Sequence, residues 1–413
     1  MQQEYWLMNV LLEKSYEKDR GVIVGTTTEL CHLHIKEGII VNILSADQPV
    51  DSNIEKIDGK MKLLMPSFIE KHVHLDKTFL GGPWVAVKQE ESIIDQCKLE
   101  HNKLIALTMT TEERATVLLD KLLQNGSTHV RTHVDIYPEV GLENIVEVMQ
   151  ALTHFSGRLS YEVVAFPQHG LVRKKAKSMV RDALRLGAGI VGGVDPASVD
   201  GNIEESLFQM MDLAVETNAE IDLHLHDSDY LGIYTKKRLA AFTMDAGWQG
   251  RVNISHAFAL GQIPLTEAEE MADLLVEAGI SITTALQHNV TLPPVPLLKE
   301  KGVRVAVGSD NIYDAWRPFG NGDLLERVGR LTNRFHLLDE YSLDQSLGYI
   351  TNGITLLDKE GNRMWPIQGS EANMVLVEAG CVAEAIARCV KRIAVFFKES
   401  LLQERYMVKR VIT

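Results

Sequence analysis

Between about residues 60 and 360, eight short apolar runs alternate with amphipathic segments, and few folds accept that pattern. The runs are KLLMPSFIEKHVH, STHVRTHVDI, SYEVVAFPQ, AGIVGGVD, AEIDLHLHD, RVNISHAF, SITTAL and VRVAVGSDN. Near-continuous apolar stretches of this length suit strands covered on both faces. The intervening segments, such as NIVEVMQALTHF, SLFQMMDLAVETN and EEMADLLVEAG, place apolar residues at helical spacing, and several stop at a glycine. Eight strand–helix units in about 300 residues predict an α/β protein built on a (β/α)8 barrel.

The two ends of the chain have a different texture. Residues 1–60 read as short strands and turns broken by Gly21, Gly25 and Gly38, and residues 361–413 again carry strand-like runs such as EANMVLVEAG. The expectation is a discontinuous small β-sandwich domain, residues 1–60 with 361–413, around a barrel domain of residues 61–360. Cys31, His32 and His34 sit close together in the first part, but Leu30, Leu33 and Ile35 alternate with them as a half-buried sheet requires, so they read as structural.

A barrel of this kind collects its chemistry at the C-terminal ends of its strands. The first run ends in His72 and His74, and the second carries His133 and Asp135. The third ends in Gln168 and His169, and the fourth in Asp195. The fifth ends in His224, His226 and Asp227, the sixth in Ser255 and His256, and the eighth in Ser309, Asp310 and Asn311. Side chains two apart on a strand share a face, so His72 and His74 can grip one ion. With a histidine from the fifth strand and Asp310 from the eighth, the set is three imidazoles and one carboxylate. Such ligands suit one divalent ion, Zn²⁺ or Fe²⁺, with a position left open for catalysis.

Bulk properties narrow the partners. The chain of 413 residues carries 42 Lys+Arg against 56 Asp+Glu, a net charge of −14 without a basic run, so no nucleic acid is expected. Its four cysteines form no CxxC pair, which excludes a Cys-rich zinc module. No apolar run is long enough to span a bilayer and no signal-peptide pattern opens the chain, so no membrane partner and a cytoplasmic location are expected.

The motifs HVHLDKTF, VRTHVDI, VVAFPQHG, RVNISHA and SDNIYDAWRPFGNGD resemble those of the amidohydrolase superfamily, in its cytosine-deaminase-like branch, over nearly the whole chain. The points HxHxDK at 72–77, VGGVDPA, IDLHLHD and SDNIYDAWRPFGNGD are similar to the s-triazine-pathway members of that branch. The resemblance implies one metal held by His72, His74, His224 and Asp310. It implies His256 as a proton relay, Gln168 and Trp316 as substrate contacts beside Asn311, and a homo-oligomer. Cytosine deaminases have aspartate and glutamate where this chain has His226 and Asp227, so its substrate is expected to differ from cytosine.

The expected reaction is hydrolysis of a C–N bond, deamination or dealkylamination, in an amino-substituted nitrogen heterocycle such as a pyrimidine or s-triazine. Asp310 and His256 would take the proton from water, and His226 or Asp227 would deliver one to the leaving amine. Lys77, Asp76, His133, Asp135 and Asp195 could line the pocket or pack structurally, and His288, just past the seventh run, could reach it. Two alternatives stand beside this reading. One is a cyclic-amide hydrolase with two metals, disfavoured because no lysine ends the fourth run; the other is a non-catalytic metal-binding barrel.

Overall fold

The computed structural model describes residues 4–51, 53–173, 175–287, 290–398, 400–404 and 410–411. His288 lies outside them. Four strands, β1 (Glu4–Asp19), β2 (Val22–Lys36), β3 (Ile39–Ser45) and β4 (Glu55–Pro66), open the chain. Eight follow: β5 (Phe68–Val73), β6 (Ser127–Asp135), β7 (Ser160–Phe166), β8 (Ile190–Val194), β9 (Glu220–Leu225), β10 (Val252–His256), β11 (Ser281–Thr284) and β12 (Val305–Val307). Strands β13 (Met374–Val377), β14 (Arg392–Phe397), β15 (Ser400–Glu404) and β16 (Arg410–Val411) close it.

Strands β5 to β12 pair in sequence order, all parallel. Helices follow each strand, among them Thr111–Gln124 after β5, Ile203–Thr217 after β8 and Leu324–Arg334 after β12. The amphipathic segments read from the sequence supply these helices, and their apolar faces cover the barrel. The ends of the chain meet in a separate sheet, ordered β15-β14-β13-β4-β1-β2-β3 with β16 beside β4. The barrel with its small β domain is therefore as expected.

The first apolar run is divided between the two sheets. Its leading part, through Pro66, belongs to β4 and pairs with β13, whereas Phe68–Val73 forms the first barrel strand. Proline lacks an N–H for continued pairing, and the chain changes sheets at Ser67, whose hydroxyl bonds Thr128 Oγ1 at 2.5 Å.

The barrel closes between β5 and the end of β12. Asp310 N–H donates to the His72 carbonyl at 2.7 Å. The buried Glu70 carboxylate accepts the N–H groups of His72 and Ser309, each at 3.0 Å. Arg327, on the helix after β12, donates to the carbonyls of Ala285 (3.3 Å) and Ser309 (3.0 Å), tying the ends of β11 and β12 together. Gly308 permits the approach, because a Cβ there would lie 2.6 Å from the His72 Cβ.

Gly308→Ala is therefore expected to push the seam apart and destabilise the protein by about 1–3 kcal/mol. Denaturant unfolding measures this, and an unchanged midpoint would show that the seam tolerates the added methyl.

Candidate metal centre and active site

Five imidazoles converge where strands β5, β6, β9 and β10 end. The ring of His72 lies 4.1 Å from His133, 4.6 Å from His224, 4.9 Å from His256 and 5.5 Å from His74, centre to centre. All five side chains are buried, as is Asp310. Asp310 Oδ1 stands 3.3 Å from His72 Nε2 and 3.4 Å from His74 Nε2. These separations exceed the ~2.7–2.9 Å of a charge-assisted hydrogen bond. They match two ligands each about 2.1 Å from a common tetrahedral ion, which stand about 3.4 Å apart.

The donor atoms support the same conclusion. His72, His74 and Asp310 offer ligand atoms that all lie within 4.8 Å of one another, and so do His72, His133 and His224. His72 Nε2 and both nitrogens of His224 are buried without a hydrogen-bond partner. Buried polar atoms are rarely left so, and here several face one space. Burial and the Lys77 ammonium hold the His74 imidazole well below its ordinary pKa. Burial and neighbouring imidazoles do the same for His224. Their lone pairs are available at neutral pH. Burial opposes ionisation of Asp310, but the surrounding imidazoles outweigh it, and the carboxyl is held well below the usual range. The residues fit a divalent ion.

His256 stacks on His226 at 4.4 Å and so joins the histidine cluster to the fifth-strand motif. Burial and His226 keep His256 well below its ordinary pKa. His226 differs: its side chain keeps 34% exposure, and its Nδ1 meets Asp195 Oδ2 at 2.8 Å. Burial would depress its pKa, but Asp195 outweighs that and raises it. Asp195 also accepts the N–H groups of His226 (2.5 Å) and Asp227 (3.1 Å), fixing the loop after β9. Asp227 Oδ2 accepts the Ala197 N–H at 3.1 Å.

A second cluster lines the other wall. The buried Lys77 ammonium lies 3.1 Å from Asp135 and 3.5 Å from Glu100, and donates to Gln168 Oε1. It also stands over the rings of Phe166 (5.6 Å) and Trp316 (5.9 Å), and Phe166 stacks on His224 at 4.1 Å. Burial would lower the Lys77 pKa, but its carboxylate neighbours outweigh that and raise it. Gln168 Nε2 bonds Cys97 Sγ and Glu100, Trp316 Nε1 donates to Glu100, and Asn311 donates to Asp314. The three residues expected to contact substrate thus form one hydrogen-bonded rim with protein partners.

Sequence reasoning did not single out Glu100, Phe166, Asp222 or Gln287. Gln287 donates to Asp310 Oδ2 at 2.9 Å. Its place, three residues past β11, was the available signal. Four strand-end residues, Asp195 (φ 32°), His256 (φ 73°), Leu286 (φ 52°) and Asp310 (φ 59°), adopt left-handed backbone, a strain that concentrates at functional sites. A cavity of about 390 Å³ opens elsewhere, at the N-terminal ends of the strands, and includes none of these histidines.

Parallel strands delivering buried histidines and an aspartate to one mouth define a barrel hydrolase of the metal-dependent kind. The amidohydrolase family model matches residues 143–394. The chain is 37% identical to the uncharacterized protein YahJ of Escherichia coli (strain K12), over 96% of this chain and 87% of that one. It is 30% identical to N-isopropylammelide isopropyl amidohydrolase of Pseudomonas sp. (strain ADP), over 86% and 89%. The crystal structure of N-isopropylammelide isopropylaminohydrolase from Burkholderia multivorans superposes with a TM-score of 0.86 at 26% identity, covering 97% of this chain and 98% of that one. The chain belongs to the amidohydrolase family and is a hydrolase of non-peptide C–N bonds. No helix among the described residues is long and apolar enough to cross a membrane.

Lys77→Met is expected to destabilise the protein by about 3–5 kcal/mol, since it leaves Asp135 and Glu100 buried without their cation. Thermal and denaturant unfolding test this; a variant as stable as the parent would mean the carboxyl groups hold protons instead.

Proposed function

We propose that this enzyme hydrolyses the bond between an electron-poor ring carbon and an exocyclic amino or alkylamino nitrogen, in a pyrimidine- or s-triazine-like heterocycle. The observation that carries the reading is the pairing of a buried His/Asp ligand set with the His226–Asp195 dyad beside it. The ligands would be His72, His74, His224 and Asp310. Bound there, a divalent ion would supply Lewis-acid chemistry, lowering the pKa of water toward neutrality.

The protein's own groups manage the protons. Asp310 Oδ1 faces the histidines, and its Oδ2, oriented by Gln287, can accept a proton from water. His256 lies between the ligand cluster and His226 and can relay a proton between them. Ammonia or an alkylamine leaves readily only once its nitrogen is protonated. His226 is the donor we assign, because Asp195 favours its protonated form. Asp227, with one oxygen on the Ala197 N–H, helps to hold the adjacent loop. Lys77, Trp316, Phe166 and Gln168 form a wall that can present a cation, two aromatic faces and an amide to a flat, nitrogen-rich ring. Asn311 extends that wall. The 30% identical relative named for an N-isopropylammelide substrate supports this substrate class.

Metal-loaded protein should release amine from an aminated pyrimidine or s-triazine, and a chelator or Asp310→Asn should abolish the release. Absence of release across such a panel, with Asp310→Asn binding the same compounds equally well, would sink the catalytic reading. Replacing the proton donor should lower kcat by about 10²–10⁴-fold for amine leaving groups. His226→Gln should lose much less with an analogue whose leaving group departs as chloride. Equal losses for both leaving groups would remove His226 from the donor's role.

A further inference from the structure

Beneath the ligands the barrel interior is polar. Asp222, on the inner face of β9 two residues before His224, is fully buried. Its carboxylate is surrounded by nitrogens and a hydroxyl. Arg131 Nη1 donates to Oδ2 at 3.1 Å, while Asn253 Nδ2 (3.0 Å) and the Ser255 hydroxyl (2.7 Å) donate to Oδ1. His133 Nε2 lies 3.4 Å from Oδ1. The Ser255 oxygen lies 2.8 Å from His72 Nδ1.

A hydroxyl has one proton to give. Ser255 gives it to Asp222, a carboxylate that can only accept. The contact with His72 therefore needs its proton from the ring, on Nδ1. A neutral imidazole with hydrogen on Nδ1 has a bare Nε2, and His72 Nε2 is the atom that faces Asp310. We infer that Asp222 and Ser255 are positioning residues that fix the Nδ1–H tautomer of His72 and so present Nε2 as a metal ligand. Arg131 anchors the chain from the far side and is itself held by Glu162 (2.7 Å) and Glu220 (3.1 Å). The inference rests on the reading of His72 as a ligand.

Two variants separate the parts of the relay. Ser255→Ala removes the acceptor, so His72 should become a mixture of tautomers. Asp222→Asn keeps the shape but changes the direction of donation. Its amide oxygen turns to Arg131 and its NH₂ to Ser255, with the Asn253 amide flipped so that its oxygen faces that NH₂ and its own NH₂ donates to the Ser281 and Thr283 hydroxyls. Ser255 then accepts there and donates to Nδ1, which places the ring proton on Nε2. An Asp→Asn change of this kind can leave geometry intact while selecting the wrong tautomer.

The experiment has two readouts, neither of them activity. Long-range ¹⁵N–¹H correlation spectra of metal-free, ¹⁵N-histidine-labelled full-length protein report which nitrogen of His72 carries the proton, with His72→Ala giving the assignment. Competition with a chromophoric chelator reports Zn²⁺ affinity. The expected results are Nδ1–H in the parent and Nε2–H in Asp222→Asn. Zn²⁺ affinity should fall about 10-fold in Ser255→Ala and about 100-fold in Asp222→Asn. Nε2–H in the parent protein, which needs no variant to fold, overturns the proposal. So does Zn²⁺ affinity within twofold of the parent in both folded variants. If the ligand reading itself were wrong, Zn²⁺ affinity would survive His72→Ala as well, which overturns both. A failed amine-release screen would leave these two readouts standing.

Discussion

The hydrogen bond from the Asp310 N–H to the His72 carbonyl is the joint on which the structure depends. It links residues roughly 240 positions apart in the chain and so carries a large loop-closure penalty, which only the whole set of strand pairings can offset. It also puts two residues of the His/Asp cluster, from opposite ends of the barrel sequence, side by side. Glu70 accepts two backbone N–H groups at the same seam, and burial keeps its own carboxyl above the usual range. Fold closure and site assembly are thus one event, and a shift of the seam would displace His72 and Asp310 together.

The mouth is divided electrostatically. On one side, burial holds the His74 and His224 imidazoles well below their ordinary pKa, at His74 against the nearby Asp310 carboxylate. On the other, Lys77 stays charged among Asp135 and Glu100. Phe166 lies between them, stacked on His224 and beneath the Lys77 ammonium. The apolar ring thus touches both groups. His226 sits apart from both groups, partly exposed and paired with Asp195, where proton exchange with solvent is easiest.

Much of this was readable in the sequence because two periodicities carried it. Strand runs and helix spacing gave the barrel, and strand ends gave His72, His74, His224, His256 and Asp310. The errors have physical causes. The first run looked like one strand because Pro66 and Ser67 interrupt it without a change in hydrophobicity. The partner that holds Gln168, Glu100, was missed because it comes from a helix that no strand-end rule covers. Asp222 went unremarked because a polar residue inside an apolar run reads as a surface position. Only the alternation that places it on the same inner face as His224 reveals its role, and only when Ser255 of the next strand is beside it.

The left-handed residues at the strand ends have a consequence for how this protein can change. For residues with a Cβ, that conformation carries a penalty of about 1–2 kcal/mol each, whereas glycine adopts it freely. His256 and Asp310 hold such conformations while supplying side chains that glycine lacks. Selection for thermal stability alone would drift toward glycine at these positions and erase the site. The sturdiest version of this barrel and the working one are different sequences, and the distance between them is stored in a few backbone angles.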